Sequence, residues 1–226
     1  MRHSLRKNKT SRLSKVKKTV VHNSKKKTAC VTKFAKKLGY LKNVPAFSNC
    51  NNSFKSDLNN FISYKNENVF SGMQWQCVEY ARRYLITKLG VTFSSVNGAE
   101  DVFALKTVES IQDGKKYKFK TYKNNFDCQR SNNMPKVNDV IIWARNKNNT
   151  PYGHIAVILK IEGDKIYIGE QNWSNDAWTS SPPHSYSRIL TLKTNNNRCS
   201  IIDGNYKILG WKRVLQDMPI SLIKNP

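Results

Sequence analysis

A chain of 226 residues with a net charge of +24 and 38% hydrophobic residues is long enough for one domain with a real core plus a charged extension. It contains no apolar run of about 18 residues, which excludes a transmembrane helix, and no apolar h-region follows the basic N-terminus, which argues against a secretory signal peptide. The charge is uneven: residues 1–43 hold 15 of the 39 Lys and Arg and none of the 15 Asp and Glu, so the other 183 residues carry 24 basic against 15 acidic groups, a net of +9.

Residues 1–37 are basic, contain Ser, Thr and Asn, and show no sustained apolar period; the composition predicts a disordered tail. Clustered Lys suits nonspecific contact with nucleic acid or an anionic surface, against the plainer alternative of a solvated tail with no dedicated partner. No nucleic-acid recognition motif accompanies the charge. A body over residues 38–215 follows, and residues 216–226 form a C-terminal tail.

Within the body, Leu38–Phe47 reads as an entry loop and Asp57–Asn68 as an Asn-rich surface loop. From Cys77 to about Leu89 the pattern is helical: Val78, Ala81, Leu85 and Leu89 fall on one face, Glu79 and Arg83 form an i, i+4 pair suited to an exposed face, and Gly90 is a stop signal. After the Asn97-Gly98 turn, Ala99–Val108 predicts a second helix. From Gly114 onward the period becomes two. Tyr117, Phe119 and Thr121 alternate with lysines, and Val140–Ala144 is an apolar run suited to a central strand. Gly153–Ile161 and Ile166–Trp173 make a hairpin about Glu162-Gly163-Asp164-Lys165, Tyr186–Leu192 alternates again, and Ile208–Val214 is a last strand. Helices first and antiparallel strands after predict an α+β domain with N-terminal helices packed on an antiparallel sheet.

Five cysteines at wide spacing, with no C-x-x-C pair, argue against a structural zinc site. Reduced thiols in an intracellular, cytoplasmic compartment are the simplest reading, with one or two disulfides left open. Cys77 stands apart because it opens a helix, where unpaired N–H groups and the positive end of the dipole favour a thiolate. The commoner fate of such a residue is a small buried thiol.

A cysteine nucleophile needs a base and a group that orients the base. Of the four histidines, His3 and His22 lie in the tail and His184 in a Pro-Pro-His loop, whereas His154 starts a strand behind Gly153. Glu170 lies on the return strand. A three-residue turn at Glu162-Gly163-Asp164 pairs Ile161 with Lys165 and sets Glu170 opposite Ala156, on the face of His154 and diagonal to it at roughly 7–8 Å. A two-residue turn puts it on the other face.

Three stretches, Trp75-Gln-Cys77-Val-Glu-Tyr-Ala-Arg-Arg83, Gly153-His-Ile-Ala-Val157 and Gly169-Glu-Gln-Asn-Trp173, resemble the CHAP family of cysteine, histidine-dependent amidohydrolases/peptidases. They are most like its branch formed by the amidase domains of glutathionylspermidine synthetase/amidase and trypanothione synthetase, and the similarity runs from about Leu38 to Val214. The resemblance implies a papain-like fold and a thiol amidase or peptidase acting on a small peptide or peptide–polyamine amide, with no cofactor and no metal. It implies Cys77 as nucleophile, His154 as base and acid, Glu170 as the orienting carboxylate, Gln76 as a helper of the oxyanion, and Arg82 and Asn172 as substrate contacts. Asn138 stands where many CHAP domains have Gly before Asp, a backbone that Asn tolerates. Two further readings remain: a peptidoglycan-cleaving CHAP enzyme, and a nucleic-acid-associated or virion-packaged basic protein that only keeps the fold.

Overall fold

A computed structural model of the chain describes residues 29–41, 44–181 and 184–219. Most of the basic tail, and the C-terminal tail beyond residue 219, lie outside the described residues. Residues 29–37, expected in the tail, are attached to the body: Cys30 is bridged to Cys50, the Val31 N–H donates to the Cys50 carbonyl at 2.8 Å, and Thr32 Oγ1 donates to the Asn175 carbonyl at 2.7 Å.

Ten strands form one antiparallel sheet in the spatial order Val91–Thr92, Thr107–Ser110, Lys116–Lys123, Ile208–Pro219, Val140–Trp143, His154–Glu162, Lys165–Gly169, Arg188–Asn195, Arg198–Ile202, Phe126–Asp127. The central strands are apolar at every position because both faces are covered. Val140, Ile142, Ile155 and Val157 pack with Tyr80, Ala81, Tyr84 and Leu85 of the helix Cys77–Leu89. Ile141, Trp143, Ala156 and Ile158 point into a second core. There Phe126, from one edge of the sheet, meets Trp211 of the fourth strand with ring centroids 4.8 Å apart, so the sheet curls back over its own face.

The fold is therefore sheet-rich, with one α-helix among the described residues rather than several. The expected second helix is a short 3-10 segment, Ala99–Ala104, followed by the strand Thr107–Ser110. Both expected N-terminal loops are hairpins: Lys37–Leu41 with Val44–Phe47, and Asn59–Tyr64 with Glu67–Met73. The second turns at Lys65-Asn66 with φ of 49° and 71°, the left-handed pair that a two-residue hairpin demands. That hairpin changes the helix as well. Glu79 and Arg83, expected on an exposed face, are buried, because Asn60 and Ser71 from the hairpin and the Pro45 carbonyl close over them.

The cysteines follow the alternative left open beside the reduced reading, with two disulfides. Cys30–Cys50 and Cys128–Cys199 are disulfides, and Cys77 is free. Such bridges persist in oxidising surroundings. Titration of the denatured, unreduced chain with a thiol reagent is expected to find one reactive sulfur, at Cys77; five would return the chain to the reduced reading.

Candidate active site

Cys77 is the first residue of its helix, after Gln76 with extended backbone, and no side chain caps the end. The first intrahelical bond runs from the Tyr80 N–H to the Gln76 carbonyl at 3.2 Å, so the N–H groups of Cys77, Val78 and Glu79 have no acceptor within the helix. Across from it, His154 begins its strand beside Trp143. Gly153, at φ 73°, makes the entry: a Cβ there would stand 2.7 Å from the Trp143 carbonyl oxygen and 2.8 Å from the Glu100 nitrogen.

His154 Nε2 lies 2.8 Å from Glu170 Oε2, and Cys77 lines the same cavity as this imidazole. With Nε2 engaged by Glu170, Nδ1 is the nitrogen left to serve the sulfur. His154 is 2% exposed and Glu170 1% exposed. Burial alone would lower the imidazole pKa, but Cys77 and then Glu170 outweigh it and push it up to about 9. For Glu170 burial is likewise opposed, here by bonds and charge from His154 and Arg188 that bring the carboxyl down to about 2. Both groups are thus held in their charged forms near neutral pH.

The pairing of Glu170 with His154 comes about by a different route from the one expected. The turn has two residues, since Glu162 pairs with Lys165 and Ile161 with Ile166. The register then shifts by one between Ile158 and Lys160, and Val157 pairs with Gly169. The bulge at Leu159 cancels the shorter turn, and Glu170 returns to the face of His154.

Glu170 is itself held by groups that no motif marks. Arg188 Nε donates to Glu170 Oε1 at 2.6 Å and Ser187 Oγ to the same oxygen at 2.8 Å. The other arm of Arg188 donates to Asp203 Oδ1 at 2.8 Å, and Asp203 Oδ2 accepts from Trp143 Nε1 at 2.9 Å. Trp173 closes the cluster, with its ring 4.7 Å from the imidazole and 4.1 Å from the Arg188 guanidinium. Strand pairing is what places Arg188: it opens the strand beside Lys165–Gly169, opposite Ile168. Arg188→Ala is expected to raise the Glu170 pKa above about 2, read by carboxyl NMR titration. Arg188→Lys is expected to restore little of it, since one ammonium does not reach both carboxylates as the fork does. An unmoved titration in Arg188→Ala would mean that Ser187 and His154 suffice.

The remaining predicted residues are placed as follows. Asn172 Nδ2 donates to Gln76 Oε1 at 2.8 Å, and Gln76 Nε2 makes longer bonds to Asn49 Oδ1 at 3.2 Å and the Phe54 carbonyl at 3.4 Å. Both side chains stand beside Cys77 and His154 in one cavity of about 300 Å³. Arg82 is 3% exposed, and its Nη1, Nε and Nη2 donate to the carbonyls of Ser71, Phe93 and Ser94 at 2.9, 3.2 and 3.3 Å. It lines a second cavity, of about 330 Å³, and fixes segments that border it. Gln171, not singled out by the sequence, donates through Nε2 to Glu79 Oε2 at 2.9 Å and accepts through Oε1 from Arg83 Nη2 at 2.8 Å.

The CHAP domain profile matches residues 68–172, which contain Cys77, His154 and Glu170. A CHAP domain occupies this part of the chain. Among similar curated proteins, the bifunctional glutathionylspermidine synthetase/amidase of Escherichia coli (strain K12) is 28% identical over 164 residues, covering 72% of this chain and 25% of that protein. Trypanothione synthetase of Crithidia fasciculata is 30% identical over 160 residues, covering 71% of this chain and 22% of that protein. The glutathionylspermidine synthase of the same organism is 28% identical over 145 residues, 63% of this chain and 19% of that protein. The chain thus spans a quarter or less of the length of these relatives. The CHAP match begins in the strand Glu67–Met73 and ends at Asn172, so Arg188 and Asp203 lie beyond it.

Proposed function

We propose that the chain is a cysteine amidase or peptidase that hydrolyses an amide bond through a thioester on Cys77. The observation that carries this is the buried His154 imidazole, bonded to an ionised Glu170 and sharing a cavity with the free Cys77 at its helix start. The arrangement is that of a papain-like site, with the sulfur at a helix start and the imidazole on the facing sheet.

Thiolate attack forms the S–C bond and moves the carbonyl electron pair onto oxygen. The Cys77 N–H at the open helix end is placed to receive that oxyanion, and Gln76, whose Nε2 bonds are both long, is the side chain that could turn to join it. His154 gives its proton to the amine nitrogen as the C–N bond breaks, leaving a thioester. Water then attacks the thioester and gives a proton to His154, the S–C bond breaks, and the acid leaves with the thiolate restored. Glu170 keeps the ring oriented and stabilises its charged form through both steps. Asn172 holds Gln76, and we assign substrate contact to that pair rather than to Arg82. For residues 1–37 charge alone supports a nonspecific polyanion contact.

The test is incubation of the full chain with glutathionylspermidine and, separately, with muropeptides, following amine release and trapping the acyl group by mass spectrometry. An acyl adduct on the peptide containing Cys77 is the expected result. Product formed with the adduct on no cysteine would overturn the mechanism.

A further inference from the structure

The two cavities at the site are lobes of one cleft. Lys55, Gln76, Cys77 and Tyr152 line both. Lys55 Nζ donates to Tyr152 Oη at 2.6 Å, so an exposed lysine and an exposed tyrosine meet across the waist of the cleft beside the sulfur. The chemistry proposed above distinguishes the lobes. His154 must hand a proton to the departing amine, and it lines only the lobe that also holds Asn149, Asn172 and Trp173. The amine half of the substrate therefore lies there and the acyl half in the other lobe, among Phe70, Met73, Val78 and Val96.

Among the described residues no carboxylate lines the amine lobe, and besides the reacting Cys77 sulfur its charged groups are Lys55 and the His154 imidazole. Among the described residues Glu79 is the one carboxylate lining either lobe, and it is spent: Oε1 accepts from Asn60, Ser71 and Arg83, and Oε2 from Gln171 and Arg83. Beyond Ala99, the Arg145 guanidinium pairs with Asp101, and the Arg145 backbone N–H donates to Glu100, whose carboxylate does not line either lobe. A polyamine leaving group would thus meet two cations and uncharged amides, with no carboxylate lining its lobe to receive its remaining ammonium groups.

We infer that the amine half of the substrate is an amino acid or peptide bearing a carboxylate close to the scissile nitrogen, which Lys55 receives at the waist of the cleft, and that it is not a polyamine. The inference rests on the amidase reading of the preceding subsection and sets this chain apart from the glutathionylspermidine-named relatives. Lys55 is a specificity residue here: it swings from Tyr152 to the carboxylate, a contact that costs only an exposed hydrogen bond.

The test uses the full chain and three amides with one shared acyl group, whose amine halves are alanine, propylamine and spermidine. Hydrolysis of the propylamide, dependent on Cys77, reports the amidase reading alone. The ratio of kcat/KM for the alanine amide over the spermidine amide reports the inference. It is expected to exceed unity by about tenfold at low salt, and Lys55→Glu is expected to reverse the order, a swing of roughly a hundredfold from attraction to repulsion. A wild-type preference for spermidine, or a ratio that Lys55→Glu leaves in place, overturns the inference while the amidase reading stands. If no amide is cleaved, the amidase reading falls, and charge preference is read from protection of Cys77 against iodoacetamide. Alanylalanine should then protect better than spermidine, and the opposite order refutes the inference.

Discussion

Replacing Cys77 by Ala is expected to lower kcat/KM on any amide substrate by about five to six orders of magnitude, and His154→Ala by a similar factor. The double variant should be little worse than either single one, because sulfur and imidazole act as a unit and neither has a function once the other is gone. What remains is binding and the open helix end. The pH profile follows from the same contacts. Turnover should fall as pH rises through about 9, where His154 loses the proton that the leaving amine requires. In Cys77→Ala two of the influences that raise the imidazole pKa vanish while burial stays, so a ring titration by NMR should move to lower pH. A His154 titration that Cys77→Ala leaves unmoved would falsify the paired arrangement. Stability gives a second readout. The folded pKa of His154 lies above its ordinary 6.5, so its contribution is fully present below about 6.5 and is lost as pH rises through about 9. Glu170 lies below its ordinary 4.5, so its contribution is present above about 4.5 and is lost as pH falls through about 2. Both contributions are complete between about pH 4.5 and 6.5.

The largest expected loss of stability is at Glu79. Its carboxylate is wholly buried and accepts bonds from Asn60, Ser71, Gln171 and both arms of the Arg83 fork. Glu79→Ala would leave the Arg83 guanidinium buried with the Pro45 carbonyl and Gln171 Oε1 as its remaining acceptors. Breaking a buried pair from one side costs about 3–5 kcal/mol, a large part of the roughly 5–15 kcal/mol that holds a domain together. For a chain of this size that corresponds to a fall in Tm of about 6–20 °C by calorimetry. Glu79→Gln keeps one acceptor oxygen and should lose less. A loss under about 1 kcal/mol in Glu79→Ala would show that water enters and relieves the arginine. Added salt should change the wild-type pair little, since it is shielded from the solvent.

Much of the site was legible because its parts sit in short motifs. Cys77 opens a run with helical period, and His154 and Glu170 lie on two strands that a strong turn signal joins. Their face could be inferred from register, yet the expected turn was one residue too long, and only the unsignalled bulge at Leu159 restored the pairing. Period gave the central strands, because an apolar run such as Val140–Trp143 fits a sheet buried on both sides. Period misread Glu79 and Arg83, because what covers them is the Asn59–Met73 hairpin, whose Asn-rich first strand lacks the apolar alternation of a half-buried strand. Arg188 and Asp203 were out of reach for a related reason: what brings them to Glu170 is strand order, which local patterning does not encode.

Three adjacent side chains after Gly169 divide the work of the molecule. Glu170 bonds to the imidazole, Gln171 turns away to the buried Glu79–Arg83 pair, and Asn172, at φ 55°, turns back to Gln76. Gain or loss of a single codon here would hand each task to the wrong neighbour and unsettle all three networks together. Descendants of this gene should therefore keep the length of this tripeptide constant, and insertions should collect instead at open turns such as Gly163-Asp164 and Gly204-Asn205.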